Sequence, residues 1–282
     1  MTQLHTPYET EITHWRIDRE QKLRADDGWL TLCALAWLND GDNSVGSDTN
    51  CDVVLPAHSV PPHLGKVTKT GESFTLTVSA ETSLKVNGQP VMPNMPVMLV
   101  SDQAKQTPSL VTVGDVSFFV IKRGEQFAIR ARDKNSNVLK SFTGCEWFPV
   151  QTQYRVKGMF TPHTPARVLQ VVNILGILEP TPNPGTVEFE FEGRQYKFEA
   201  FAGGKDSLFI VFRDATAGKS TYGSGRFIYA PFNADGMVDL DFNKAYNPPC
   251  AFTTFATCTL PLPSNIMPAE IEAGEKRSAS TH

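Results

Sequence analysis

The chain changes hydrophobic period once. Over residues 7–25, Ile12, Trp15 and Leu23 form a thin apolar stripe among charged neighbours, which predicts a helix with one buried face. Thr6-Pro7-Tyr8-Glu9 supplies its start: Thr6 caps, Pro7 suits the first helical position and Glu9 completes a capping box. Asp18–Lys22 and Glu20–Arg24 are i,i+4 pairs of the favourable order, and Asp26-Asp27-Gly28 ends the segment. From Trp29 the pattern becomes short runs of period two. SFTLTVS (73–79), DVSFFVIKRG (115–124) and QFAIRARD (126–133) predict half-buried strands, and Asn87-Gly88 predicts a tight hairpin because both residues tolerate positive φ.

A second β series runs from about 155 to 262. Glu188, Glu190 and Glu192 alternate with Val187, Phe189 and Phe191, so one face of that strand is wet and the other packed. Glu192-Gly193-Arg194 turns the chain, and Thr181-Pro182-Asn183-Pro184-Gly185 has the composition of a stiff connector. Arg277 to His282 form a polar tail, expected to be disordered.

The 282 residues are 40% hydrophobic and 20% charged, ordinary for a globular chain with one large or two modest cores. A formal net charge of −4 provides no global basic field for nucleic acid. No apolar run is long enough to span a bilayer, and MTQLHTPYET lacks the basic and apolar regions of a secretory signal. Five scattered cysteines do not form a secreted disulfide framework, so the expected setting is cytoplasmic.

Residues 45–56, VGSDTNCDVVLP, followed by LKVNGQPV and LVTVGDVSFFVI, resemble a forkhead-associated β-sandwich. Such domains hold phosphothreonine with an arginine after the first glycine and a Ser-X-X-His after the next strand. Ser47 occupies the first position here, and Pro61-Pro62-His63 replaces the second motif. A serine cannot supply the bidentate charged contact, so the resemblance implies the sandwich without phosphopeptide binding.

Across nearly the whole chain, a longer set of motifs resembles the bacterial family catalogued as domain of unknown function 1684. They are GWLTL and LAWL within 28–38, Val45 to Asp48, Arg213-Asp214-x-Thr216, Thr221-Tyr222-Gly-x-Gly-Arg226, the run 241–250, Cys258, Asn265 and Ala-Gly-Glu-Lys at 273–276. The resemblance brings no activity with it. The expected fold is therefore mainly β: an N-terminal helix (1–27), a forkhead-associated-like sandwich (28–147) and a second antiparallel β unit (148–276), sandwich or partial barrel, before the tail (277–282).

Candidate chemistry gathers in the last third. Pro248-Pro249 stiffens the run DFNKAYNPPCAF, and Gly223 and Gly225 allow close approach around Tyr222 and Arg226. Polar side chains on stiff backbone lose little entropy on binding, which predicts a pocket for a small anionic or polar molecule or a peptide. Its ligand-binding candidates are Arg213, Asp214, Tyr222, Arg226, Asp241, Asn243, Tyr246, Asn247, Asn265, Glu275 and Lys276. Arg213 and Arg226 would neutralise an anion, the two tyrosines would stack or hydrogen-bond, and Asn243 and Asn247 would orient the ligand.

Alternatives are a hydrolytic enzyme using Cys250 or an acidic residue, and an interaction scaffold. For each residue alone, the competing reading is a cap, a turn or a strand lock. The spacing of Cys250 and Cys258 allows a disulfide, which a reducing compartment disfavours. No Cys-x-x-Cys or nucleotide loop is present, so neither metal nor cofactor is expected. The four tryptophans are expected to pack the helix and the domain junction.

Overall fold

A computed structural model describes residues 6–79, 83–103 and 106–277. The helix α1 spans Pro7–Arg24. Its capping box forms: Glu9 Oε2 accepts from Thr6 N at 2.7 Å and Thr6 Oγ1 accepts from Glu9 N at 3.2 Å. Glu20 turns to another partner instead, accepting from the backbone N–H of Cys145 at 2.9 Å. No described helix is long and apolar enough to cross a membrane.

Two compact units divide the chain, one comprising Leu23–Phe142 with Thr253–Ala256, the other the remainder. In the first, β1 (Leu32–Trp37), β2 (Gly41–Gly46), β3 (Val53–Val54), β4 (Gly65–Thr70) and β5 (Ser73–Val78) are followed by β6 (Lys85–Val86) and β7 (Gln89–Pro90). Then come β8 (Val97–Leu99), β9 (Val111–Val113), β10 (Val116–Arg123) and β11 (Gln126–Asp133). They form two sheets, ordered β1-β11-β10-β9-β6-β7 and β3-β2-β4-β5-β8, around one core that includes Phe74, Leu76, Phe118 and Ile129. Asn87 (φ 50°) and Gly88 (φ 81°) make the hairpin turn between β6 and β7. A short helix α2, Asn137–Ser141, capped by the Ser136 side chain, closes the unit. Sequence periodicity did not predict it, because five residues are too few to display a stripe.

In the second unit, β12 (Arg155–Val172), β13 (Leu178–Phe191), β14 (Arg194–Ala202), β15 (Ser207–Phe212), β16 (Arg226–Pro231) and β17 (Val238–Asp241) form one sheet ordered β16-β15-β14-β13-β12-β17. A bridge between Phe232 and Val238 joins its two edges, so the sheet is nearly closed into a barrel. Phenylalanines 189, 191, 198, 212 and 242 fill it together with Ile210 and Leu240. Val187, Phe189 and Phe191 face inward and Glu188 and Glu190 outward, as the alternation requires.

Two sequence expectations need correcting. The stretch 181–185 is not a connector but part of β13, paired with β12 across Arg167↔Asn183, Val168↔Pro182 and Pro162↔Gly185. The ladder survives its prolines because the register slips between Pro162 and Arg167, and because the Asn183 side chain donates to Gly185 O and Ala200 O. The expected disordered tail does not begin at Arg277. Its backbone N–H donates to Ser220 O at 2.9 Å and its guanidinium to Gly218 O at 3.3 Å; residues 278–282 lie outside the described residues.

Candidate functional site

The segments 213–226, 241–250 and 265–276 meet beside the barrel, but most of their polar side chains interlock rather than line a recess. Arg226 is 1% exposed. It donates to Asp214 Oδ1 at 3.1 Å, to Ile271 O at 2.9 Å and to Ala273 O. Burial pulls its pKa down, opposed by Asp214. The other oxygen of Asp214 accepts from Thr216 Oγ1 at 2.6 Å and from Ile271 N at 2.8 Å. Gly225 permits this crossing: its φ is +96°, and a Cβ there would lie 2.6 Å from Phe212 O. An arginine so enclosed acts as a strand lock, its two terminal nitrogens engaged by Asp214, Ile271 and Ala273, while Nε has no partner among the described residues. Arg213 is exposed, and its backbone rather than its side chain pairs, with Asn265 O and Met267 N.

Two of the three asparagines act as short pieces of β-ladder. The register Phe201↔Phe209 would next pair Glu199 with Val211, and Asn265 stands between those two strands instead. Its Oδ1 accepts from Glu199 N at 2.7 Å, and its Nδ2 donates to Glu199 O and Val211 O, both at 2.9 Å. Asn243 does the same for Gln151, accepting from its N–H at 3.0 Å and donating to its carbonyl at 2.9 Å. Both are fully buried, with donor and acceptor already engaged by backbone groups. Asp241 accepts from Tyr8 Oη at 2.8 Å and from Asn243 N at 3.1 Å; burial raises the pKa of both Asp241 and Tyr8.

The third asparagine belongs to a different setting. Asn247 donates from its backbone N–H to Glu275 Oε2 at 2.9 Å and from Nδ2 to Glu275 Oε1 at 3.0 Å. Its carbonyl accepts from Arg19 of α1 at 2.9 Å. Glu275 is fully buried, so desolvation raises its pKa against the pull of Arg19, Asn247 and the Cys145 thiol. Around this acid stands a half-buried aromatic cluster. Trp15 meets Trp147 edge-on at 5.7 Å and Tyr246 at 6.2 Å, and Tyr246 stacks on Tyr229. Two arginines lie on its faces, Arg19 over Tyr246 at 4.5 Å and Arg16 over Trp147 at 4.9 Å, while Lys276 sits over Phe148.

Three buried atoms here have no hydrogen-bond partner among the described residues: Arg16 Nε, Arg19 Nε and Asn247 Oδ1. Arg19 Nε lies 3.9 Å from Glu275 Oε2. Desolvation, followed by the neighbouring Tyr229, pushes the Tyr246 phenol well above its usual range. Trp15, Arg16, Arg19 and Cys145 were not among the sequence candidates. The one available signal was Trp15 on the helix stripe, with Arg19 one turn further at i+4, and such a stripe does not say what it packs against.

The third group is sulfur-based. Cys250 sits in a 3-10 turn, Pro249–Ala251. Its N–H donates to Cys258 Sγ at 3.1 Å, and Tyr222 Oη donates to its carbonyl at 3.1 Å. The neighbouring Cys258 thiol, and after it the Tyr222 hydroxyl, hold the Cys250 thiol below its ordinary pKa despite burial. The Tyr222 phenol is correspondingly raised, by burial first and Cys250 second.

The second unit is thus a nearly closed antiparallel barrel whose flank is laced by buried arginine, asparagine and carboxylate contacts. Residues 140–276 match the model of the family described as protein of unknown function (DUF1684). The motifs within 28–48 lie outside that span. No curated protein matches the chain. Among solved structures, an uncharacterized protein of Haloarcula marismortui is similar at 29% identity and TM-score 0.42, with 50% of this chain and 80% of that one covered. An FHA domain from a study of phosphothreonine-dependent interactions is 17% identical, with TM-score 0.24 over 35% of this chain and 92% of its own. The FhaA FHA domain, solved with the intracellular domain of another protein, is 16% identical with TM-score 0.24, over 35% and 97%.

Proposed function

We propose that the C-terminal half binds a small polar or anionic molecule at the aromatic cluster around Tyr246, with Arg19 as the cation and Asn247 as the orienting amide. One observation carries this reading: Arg19 Nε and Asn247 Oδ1 are buried beside Glu275 without hydrogen-bond partners among the described residues. Buried polar atoms cost free energy unless satisfied, so two complementary orphans, a donor and an acceptor, favour a polar guest. Glu275 supports the choice of charge. With its pKa raised by burial, it neutralises Arg19 less readily than a solvated carboxylate would. The half-buried rings of Tyr246, Trp15 and Trp147 would supply stacking area.

A thermal-shift panel of carboxylates, sulfonates and phosphate esters tests it. At least one compound should raise Tm in a concentration-dependent way, about 2.7 kcal/mol of stabilisation at a hundredfold excess over Kd. Arg19→Gln should abolish that shift while the protein still melts cooperatively. A panel without any shift, or one unaffected by Arg19→Gln, would sink the reading.

A further inference from the structure

We propose that Cys250 and Cys258 form a dithiol that reduces hydroperoxides, with Cys250 as the attacking sulfur and Cys258 as the resolving one. The inference is independent of ligand binding at Tyr246, since it uses neither Arg19 nor the aromatic cluster.

Four features of this group converge. Cys258 Sγ lies 3.1 Å from the backbone nitrogen of Cys250, and the two thiols are hydrogen-bonded. That places the Cys250 Cα within about 4.6 Å of the other sulfur, so the two residues are close neighbours. Cys250 is half-buried and Cys258 buried, which suits a sulfur that meets a small solute and one that acts afterwards. The Pro248-Pro249 stretch fixes the turn from which Cys250 projects, and Tyr222 holds its carbonyl.

The other thiols contrast with it. Burial pushes Cys33 up to about 12 and raises Cys145 as well, whereas Cys250 is held below its usual value by Cys258 and Tyr222. A thiolate rather than a thiol is the nucleophile, so the reaction selects Cys250.

The chemistry closes without a cofactor. The Cys250 thiolate attacks one oxygen of the hydroperoxide; an S–O bond forms and the O–O bond breaks. The peroxide is reduced by two electrons to an alcohol or water, taking a proton from Tyr222 or solvent, and Cys250 becomes a sulfenic acid. The sulfur of Cys258 then attacks that sulfur. An S–S bond forms, the S–O bond breaks, and the departing hydroxide leaves as water with the Cys258 proton. The net change is two thiols plus hydroperoxide to disulfide, alcohol and water. An external dithiol, by exchange, returns the pair to its reduced form.

The full chain treated with one equivalent of hydrogen peroxide provides the test. Thiol titration in denaturant should fall by two from the five cysteines. The tryptic peptide 245–276, which holds both residues, should become lighter by two hydrogens and resist alkylation. Cys258→Ser should stop at a dimedone-trapped sulfenic acid on Cys250, and Cys250→Ser should lose no thiol pair. Tyr222→Phe, which keeps the ring, should slow alkylation of Cys250 by roughly fivefold at neutral pH. The proposal is overturned if peptide 245–276 still alkylates at both cysteines after peroxide. It is equally overturned if Cys33, Cys51 or Cys145 oxidises first, or if Cys258→Ser leaves the products unchanged. An unaltered rate in Tyr222→Phe removes the role given to that phenol.

Discussion

An asparagine side chain carries the same donor and acceptor as a peptide unit, and in this molecule that equivalence is used repeatedly. Asn265 spans the gap where β14 and β15 part, and Asn243 pairs with the backbone of Gln151. Each is wholly buried, so removing the amide strands backbone groups that no water can reach. Asn265→Ala should therefore lower unfolding free energy by about 2–4 kcal/mol, with three backbone groups losing their partner at once. Urea denaturation measures this, and a loss below about 1 kcal/mol would mean that the strands close over the gap. Asn265→Asp should be no rescue, because a carboxylate cannot donate to Glu199 O and Val211 O.

At the scale of elements, α1 shows how local and tertiary forces divide the work. Its boundaries follow from local signals: Pro7 at the first turn, the reciprocal Thr6–Glu9 bonds, and the Asp-Asp-Gly exit. Thr6→Ala should cost about 1 kcal/mol by removing one side of the capping box, visible as a lower Tm with the same unfolding slope. The position of α1 is a tertiary matter. Tyr8 binds Asp241, Arg16 binds Phe148 O, Arg19 binds Asn247 O and Lys244 pairs with Glu11. An apolar stripe of three residues would not have indicated so polar a contact. Strand β13 makes the complementary point, since its prolines look like a break until the slipped register of β12 accommodates them.

For the whole molecule, the distribution of buried carboxyls sets the pH dependence of stability. Glu275 and Asp241 have folded pKa values above their ordinary ones, because burial disfavours the charged form. The folded state then binds more protons than the unfolded one, so the stabilising contribution is complete below the ordinary value of 4.5 for Glu275 and lost as pH rises through its folded pKa. The exposed Asp42, Asp48, Asp52 and Asp235 are held low by hydrogen bonds and act in the opposite sense, losing their contribution as pH falls. Glu275→Gln isolates the first effect. Relative to this variant, the parent should lose stability steadily as pH is raised from about 4.5, in thermal melts across a pH series. A constant difference between the two proteins would show that Glu275 stays in one charge state throughout.

Period-two runs, turn residues and the capping box were enough to specify a helix, a set of strands and a mainly β fold, because those signals act between residues a few positions apart. The sequence also located the polar segments that come together, through the density of asparagines, prolines and glycines in 213–276. It could not say which side chains are consumed in holding them. Arg226, after Gly223 and Gly225, and Asn247, before Pro248-Pro249, look alike in a sequence as polar groups beside turn-forming residues. Burial and partners 12 to 47 residues distant turn Arg226 into a lock on Asp214, Ile271 and Ala273, whereas the backbone carbonyl of Asn247 accepts from Arg19 of the helix, 228 residues away, and its amide oxygen has no partner among the described residues. That distinction arises from long-range packing, where desolvation sets the cost of each unpaired group, and tertiary structure alone determines it.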